Sequence, residues 1–134
     1  MSPAPALQVL YVEDDRINIV LMEEVFRRLP DWRLRCAEDG EQALTLLAES
    51  AAGGLPDLLL IDMNLPDMSG LCLIEALRAD PRLALLPCVA LSADDHASQV
   101  EAARAAGFSD YWVKPIDVLR LSEALQATAA RMAS

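Results

Sequence analysis

The sequence of 134 residues carries 11 Lys and Arg against 21 Asp and Glu, a net charge of −10, and is 54% hydrophobic but only 4% aromatic. This length fits one domain, and a core of aliphatic side chains is typical of proteins in which helices cover a sheet. The negative charge repels phosphate backbones and anionic lipids, so we expect neither nucleic acid nor a membrane as a partner.

The ends of the chain and its cysteines indicate a cytoplasmic protein. No apolar run approaches the ~20 residues needed to cross a bilayer, and the first residues, MSPAPALQ, lack the regions of a signal peptide. We predict a single domain over 1–134, with 1–6 as a flexible N-terminal segment. Cys36, Cys72 and Cys88 match neither a disulfide framework nor a zinc site, and are predicted to be reduced core thiols.

The first two predicted elements are a strand and an amphipathic helix. Residues 7–12 (LQVLYV) are a short apolar run rich in strand-forming residues, followed by Glu13, Asp14 and Asp15. Residues 17–29 form a predicted helix that stops at a proline. Its apolar face consists of residues at helical spacing: Leu21, Met22, Val25, Phe26 and Leu29.

A strand, a helix and a second strand follow. In 32–36, apolar residues alternate with arginines, a period of two that indicates an edge strand. Asp39 and Gln42 resemble a capping pair that opens a helix, which Gly53–Gly54 closes. Residues 58–62 (LLLID) are apolar up to a final aspartate, as expected for a central parallel strand buried on both faces.

The second half repeats the alternation. We predict a helix from 71 to about 80, a strand over 87–91, an alanine-rich helix over 97–106 that a glycine caps, and a strand over 110–113. A last helix, which Asp117 can cap, has one face lined by Val118, Leu121, Leu125 and Thr128. Five strand-helix repeats predict an α/β fold with a five-stranded parallel sheet, doubly wound by helices on both faces.

Ligands bind at the carboxyl ends of the strands in such sheets. Those ends carry the acids 13–15, then Asp62, Ser92 and Lys114. Clustered carboxylates repel one another unless a cation neutralises them, and a cluster without His or Cys favours Mg²⁺. Lys114 and Ser92 would supply a charge and a hydroxyl to a phosphoryl group. Asp62, alone at the end of the central strand, is the best candidate for a nucleophile that forms an acyl phosphate.

Four short motifs follow the strands in order: 12–14 (VED), 61–62 (ID) with 66–70 (PDMSG), 90–93 (ALSA) and 111–115 (YWVKP). Each is common by itself. Together, and each at a strand end, they resemble the receiver domains of two-component response regulators, from near residue 7 to near residue 130. The resemblance implies a flavodoxin-like sheet with strand order 2-1-3-4-5.

The resemblance also implies a site. Asp62 would accept a phosphoryl group from a histidine kinase or a histidine phosphotransfer protein. Glu13, Asp14 and Asp62 would hold Mg²⁺ together with the backbone carbonyl of Asn64, while Lys114 would pair with the phosphoryl oxygens. Such a protein is not an enzyme, beyond its own phosphotransfer and autodephosphorylation.

A conformational switch is implied as well. Ser92 would hydrogen-bond the phosphoryl group, and Tyr111 would turn inward into the space that Ser92 leaves. Helix 4, strand 5 and helix 5 would then present a changed surface to a downstream protein target. The peptide bond before Pro115 is commonly cis in this family, which would aim the preceding lysine inward.

Several alternatives stay open. Asp14 and Asp15 could be the metal pair instead of Glu13 and Asp14, but the resemblance favours Glu13 and Asp14, and capping of the first helix is the stronger interpretation of Asp15. A Mg²⁺-dependent phosphatase with an aspartyl nucleophile is disfavoured, because Asn64 stands where its general acid would be. A receiver-like interaction module that no longer accepts phosphate is the third interpretation. We expect no attached effector domain, so the domain acts alone or derives from a longer protein such as a hybrid kinase.

Overall fold

A computed structural model describes residues 7–50 and 54–133 of the chain. Strands and helices alternate: β1 (Leu7–Val12), α1 (Arg16–Arg27), β2 (Trp32–Ala37), α2 (Gly40–Ser50), β3 (Leu58–Asp62), α3 (Gly70–Ala79), β4 (Cys88–Ser92), α4 (Ala97–Ala106), β5 (Asp110–Val113) and α5 (Val118–Ala133). The five strands are parallel, in the order β2-β1-β3-β4-β5. This confirms the predicted fold and strand order. The segment 1–6, predicted to be flexible, and the predicted helix end at Gly53 lie outside the described residues.

The core consists of two apolar clusters, one on each face of the sheet. Successive side chains of a strand point to opposite faces, so Tyr11 and Trp112 belong to the cluster under α1 and α5, whereas Val12 and Tyr111 belong to the cluster under α2, α3 and α4. Every residue of β3 and β4 is buried, because helices cover both faces there. In β2, half-buried and exposed residues alternate, and the strand lies at an edge as predicted.

Two residues of the helical faces are exposed, and one cysteine that was predicted to lie in the core is exposed as well. Leu21 is 59% exposed and Val118 is 54% exposed. Both line a groove of about 520 Å³ between α1 and the start of α5, where none of the other described elements covers them. Cys72 is also exposed, because α3 buries a different side, formed by Leu73, Ile74 and Leu77.

The other two cysteines are less accessible. Cys88 is buried and Cys36 is partly buried. Burial raises the pKa of the Cys88 thiol to about 11. Burial, with the nearby charges of Glu23 and Glu38, raises the pKa of the Cys36 thiol to about 11 as well. Little thiolate is therefore available at either position near neutral pH.

One partly buried cation joins the C-terminal end of α3 to two loops. The guanidinium of Arg78 donates to the carbonyl of Gly107 from Nε at 3.2 Å and from Nη2 at 2.7 Å. Its Nη1 donates to the carbonyls of Leu83 and Ala84, at 3.1 and 3.0 Å. Gly107 ends α4 at a φ of +119°, and a Cβ there would lie 2.9 Å from the Arg78 side chain, so glycine fits both the backbone and the contact.

Candidate functional site

The carboxyl ends of four strands bring polar side chains to one edge of the sheet. Glu13 directly follows β1, Asp62 ends β3, Ser92 ends β4 and Lys114 directly follows β5. In the register of the parallel strand pairs, Glu13 lies level with Asp62. Ser92 lies one residue beyond Asp62 toward the carboxyl ends of the strands, and Lys114 lies one residue beyond Ser92. The sheet therefore assembles the predicted group of side chains from positions far apart in the sequence.

Three acids form the centre of this edge. One carboxylate oxygen each from Glu13, Asp14 and Asp62 lies within 4.8 Å of the other two. Glu13 is 0% exposed and Asp62 is 5% exposed, whereas Asp14 faces solvent. Asp15 instead caps α1, where its Oδ1 accepts from the backbone N–H of Ile17 at 2.9 Å. The sequence left two candidate pairs of metal-binding acids. The structure brings Glu13 and Asp14 to Asp62, rather than Asp14 and Asp15.

Lys114 is the cation that faces the buried acids. Its Nζ lies 2.8 Å from Glu13 Oε1 and 3.0 Å from Asp62 Oδ2. Its backbone N–H donates to the carbonyl of Ser92 at 2.8 Å, which fixes the start of the loop after β5. The Lys114–Pro115 peptide bond is cis, as the sequence resemblance implied. The ammonium group therefore compensates two carboxylates whose burial would otherwise be costly.

The two buried carboxyl groups ionise very differently. Burial, together with the neighbouring Glu13, raises the pKa of Asp62 to about 6, although the Asn64 N–H and Lys114 partly oppose this. Burial acts in the same direction on Glu13, but hydrogen bonds with Asp62, Lys114 and Tyr11 outweigh it and lower its pKa to about 2. Burial alone would lower the pKa of Lys114, yet its bonds to the two acids raise it. Glu13 is thus the more acidic carboxyl group of the pair, and Asp62 is the one that retains its proton to higher pH.

Two further residues hold Glu13, and sequence reasoning missed both. The Tyr11 hydroxyl and the Asn18 side-chain amide each donate to Glu13 Oε1 at 3.1 Å. Tyr11 is buried beneath the acids, and burial followed by the charge of Glu13 raises its pKa, so it stays a donor. The available signals were a tyrosine two residues before the first acid, on the same side of its strand, and a polar residue early in α1.

The predicted switch residues lie next to the loop after β4. Ser92 is 5% exposed, and its Oγ accepts from the backbone N–H of Asp94 at 3.0 Å. Tyr111 is 7% exposed and belongs to the core, with its hydroxyl donating to the carbonyl of Asp94 at 2.5 Å. The tyrosine therefore already lies inward in this structure. His96 is exposed, and its ring contacts the Asp94 carboxylate.

The donor set fits a hard divalent cation. It consists of carboxylate oxygens without His or Cys, which suits Mg²⁺. Glu13 Oε1 already accepts from three donors, so Glu13 Oε2, Asp14 and Asp62 remain the more available oxygens. The backbone N–H of Asn64 donates to Asp62 Oδ1 at 2.9 Å and so ties the backbone at Asn64 to the cluster.

The response regulator receiver domain family matches residues 9–126 of this chain. The chain belongs to this family. Among characterised relatives of this receiver, the chemotaxis protein CheY of Pseudomonas aeruginosa is 32% identical over 126 residues, which are 94% of this chain and 98% of that protein. The protein is thus a CheY-like receiver domain of two-component signalling. In the part of the receiver that the structure describes, no helix is long and apolar enough to cross a membrane.

Solved structures resemble the receiver over nearly its full length. The receiver domain of a sensor histidine kinase from Pseudomonas aeruginosa PAO1 has a TM-score of 0.77 at 30% identity, covering 91% of this chain and 96% of that one; it was crystallised with a magnesium ion coordinated in its active-site cleft. The phosphorylated cyanobacterial phytochrome response regulator RcpA has a TM-score of 0.77 at 25% identity, covering 91% of this chain and 90% of that one.

Proposed function

We propose that this receiver accepts a phosphoryl group on Asp62 from a phosphohistidine of a histidine kinase or phosphotransfer protein. A carboxylate oxygen of Asp62 attacks the phosphorus atom, the P–N bond breaks, and its electron pair remains on the imidazole nitrogen of the donor. The product is an acyl phosphate on the receiver. The observation that carries this proposal is a buried aspartate at the end of the central strand, 3.0 Å from a lysine ammonium group.

Lys114 would change partners during transfer. It neutralises Glu13 and Asp62 before the reaction, and its Nζ lies close enough to follow negative charge from the Asp62 carboxylate onto the arriving phosphoryl oxygens. Ser92 supplies a hydroxyl one residue further along the same edge, and it would donate to one phosphoryl oxygen. Both groups act by stabilising charge that moves onto the phosphoryl oxygens.

We infer that the acid cluster holds Mg²⁺ through Glu13, Asp14, Asp62 and the carbonyl of Asn64. When bound, the ion supplies positive charge that reduces repulsion between the carboxylates and the phosphoryl oxygens. The cluster of oxygens supports this inference, as does the magnesium ion in the cleft of the related kinase receiver domain. The phosphorylated state of RcpA supports phosphate acceptance in the same fold.

The output would pass through the loop after β4. A bond that the Ser92 hydroxyl donates to the phosphoryl group would draw Oγ toward Asp62, and would thereby strain or lengthen the bond that Oγ now accepts from the backbone N–H of Asp94. The carbonyl of Asp94 also accepts a hydrogen bond from the Tyr111 hydroxyl. A shift of this loop would therefore move Tyr111 and the surface of α4, β5 and α5. A downstream protein would bind the changed surface.

Incubation with acetyl phosphate and Mg²⁺ tests phosphate acceptance. We expect one added phosphoryl group by intact mass, labile to hydroxylamine, and lost when EDTA is present from the start. Asp62→Asn should abolish it. Asp57→Asn is the matched control, because Asp57 lies just before the other end of β3, where its carboxylate accepts from the Gln8 N–H at 2.7 Å; it should be phosphorylated normally.

Two results would contradict the proposal. The absence of an adduct on folded wild-type protein would favour an interaction module that does not accept phosphate. An adduct that persists in Asp62→Asn would place the acceptor elsewhere. Sustained turnover of varied phosphate esters would instead favour a phosphatase, although Asn64 offers no general acid at the position where one is expected.

A further inference from the structure

The loop between β3 and α3 (residues 63–69) is fixed to the rest of the receiver at two places. At its base, the Gly70 N–H donates to the carbonyl of Met63 at 2.9 Å, and Asn64 pairs with Ser69 in an isolated antiparallel bridge. A Cβ at Gly70 would lie 2.7 Å from the Met63 sulfur, so the two ends of the loop are in close contact. The base alone leaves the tip of the loop without support.

The tip is held by Asp67, which binds the beginning of α2. Its Oδ1 accepts from the Gly40 N–H and its Oδ2 from the Glu41 N–H, both at 2.9 Å. The neighbouring Met68 packs on Gly40 so closely that a Cβ there would lie 2.5 Å from the Met68 sulfur. These two N–H groups are donors that the helix itself leaves unpaired, and an exposed side chain from 26 and 27 residues away satisfies them.

The beginning of α2 is in turn connected to the acid cluster. The Glu13 N–H donates to the carbonyl of Ala37, the last residue of β2, at 2.9 Å, and α2 starts three positions later at Gly40. One side of the site therefore runs from Glu13 through Ala37 to the start of α2. The other side runs from Asp62 along the loop to Asp67. The Asp67 carboxylate closes this ring around the acids.

We propose that Asp67 is a positioning residue that holds the loop so that the Asn64 carbonyl stays beside the acids, and that it thereby sets the Mg²⁺ affinity of the receiver. This inference rests on the proposed metal site. Asp67 would not touch the ion, since its carboxylate is bound to α2. Its effect would pass through the backbone between residues 64 and 67, in the way that outer partners orient metal ligands.

Asp39 provides a matched control. It also caps α2, accepting from the Gln42 N–H at 2.7 Å, but it belongs to the chain of α2 and not to the loop. Asp39→Ala and Asp67→Ala should each lower thermal stability, because each removes an N-terminal capping interaction. Only Asp67→Ala should release the loop. Asp67→Asn keeps one acceptor oxygen, and therefore one of the two bonds, and should be intermediate.

The experiment measures Mg²⁺ binding to the unphosphorylated proteins by calorimetry. We expect Asp67→Ala to weaken binding roughly three- to tenfold, at or below the lower end of the effects known for outer partners, while Asp39→Ala binds like the wild type. In the metal-free proteins, amide exchange at Asn64 and Gly70 should be faster in Asp67→Ala than in Asp39→Ala.

Each outcome decides something. A wild-type receiver that binds no Mg²⁺ overturns both the metal site and this inference. If the wild type binds and Asp67→Ala binds equally tightly, the metal site stands and the role of Asp67 falls. Equal weakening by Asp39→Ala and Asp67→Ala would assign the effect to capping of α2, and would also overturn the proposed role of the loop.

Discussion

Replacing Asp62 by asparagine should make the metal-free receiver more stable at neutral pH, although it destroys the proposed acceptor. Asparagine resembles the protonated carboxyl group, and the folded state disfavours the carboxylate relative to this neutral form more than the unfolded chain does. The rise of the Asp62 pKa from its ordinary 3.8 to about 6 corresponds to about 3 kcal/mol at about 1.4 kcal/mol per unit. Because Glu13 and Asp62 titrate as a pair, we expect a gain of about 1–3 kcal/mol.

The stability difference between Asp62→Asn and the wild type should depend on pH, with a sign that follows from the raised pKa of Asp62. A carboxyl group with a raised pKa in the folded state favours folding while it is protonated, and this contribution is lost as pH rises through that pKa. As the pH rises from 3.8, the ordinary pKa of an aspartate, to about 6, the wild type should therefore lose stability relative to Asp62→Asn. At higher pH the difference in unfolding free energy between the two proteins should stay constant. Below this range the two proteins should be equally stable.

Urea unfolding across this pH range, with EDTA present, measures the difference. Mg²⁺ should reduce the stability difference between Asp62→Asn and the wild type, since the ion stabilises only a protein with the intact acid cluster. Asp67→Asn is the control of opposite sign, because the N–H groups of Gly40 and Glu41 lower the pKa of Asp67 and favour its ionised form. The reasoning is refuted if Asp62→Asn is no more stable than the wild type at neutral pH, or if the difference does not change with pH.

Two further predictions concern residues outside the site. Cys72 should be the first cysteine to react with iodoacetamide under native conditions, because it is the exposed one. Mass spectrometry should detect only slow labelling in Cys72→Ser. Rapid labelling of a second thiol in the folded protein would contradict the burial of Cys36 and Cys88. Arg78→Met should lower the free energy of unfolding by about 2 kcal/mol, because it leaves the carbonyls of Gly107, Leu83 and Ala84 without their charged donor. Urea unfolding measures this difference. An unchanged free energy of unfolding would show that water replaces the guanidinium.

Local patterns in the sequence were sufficient for the architecture. The apolar run of β3 and the alternation in β2 predicted a central and an edge strand, and both predictions are confirmed. The four motifs predicted the family, because each places a reactive residue at a strand end. Leu21 and Val118 lie on the helical faces that the spacing defined and are nevertheless exposed, because helical spacing defines one side of a helix but not whether another element covers it.

The sequence by itself determined that acids, a serine and a lysine follow successive parallel strands, and therefore that they meet at one edge. Only the tertiary structure decided which groups touch there. Lys114 reaches Glu13 across 101 residues and Asp62 across 52, and Asp67 reaches α2 across 26 and 27. Contacts of this kind depend on strand register and on helix packing against the sheet. Periodicity reports the conformation of one segment at a time, so it contains no distance between segments.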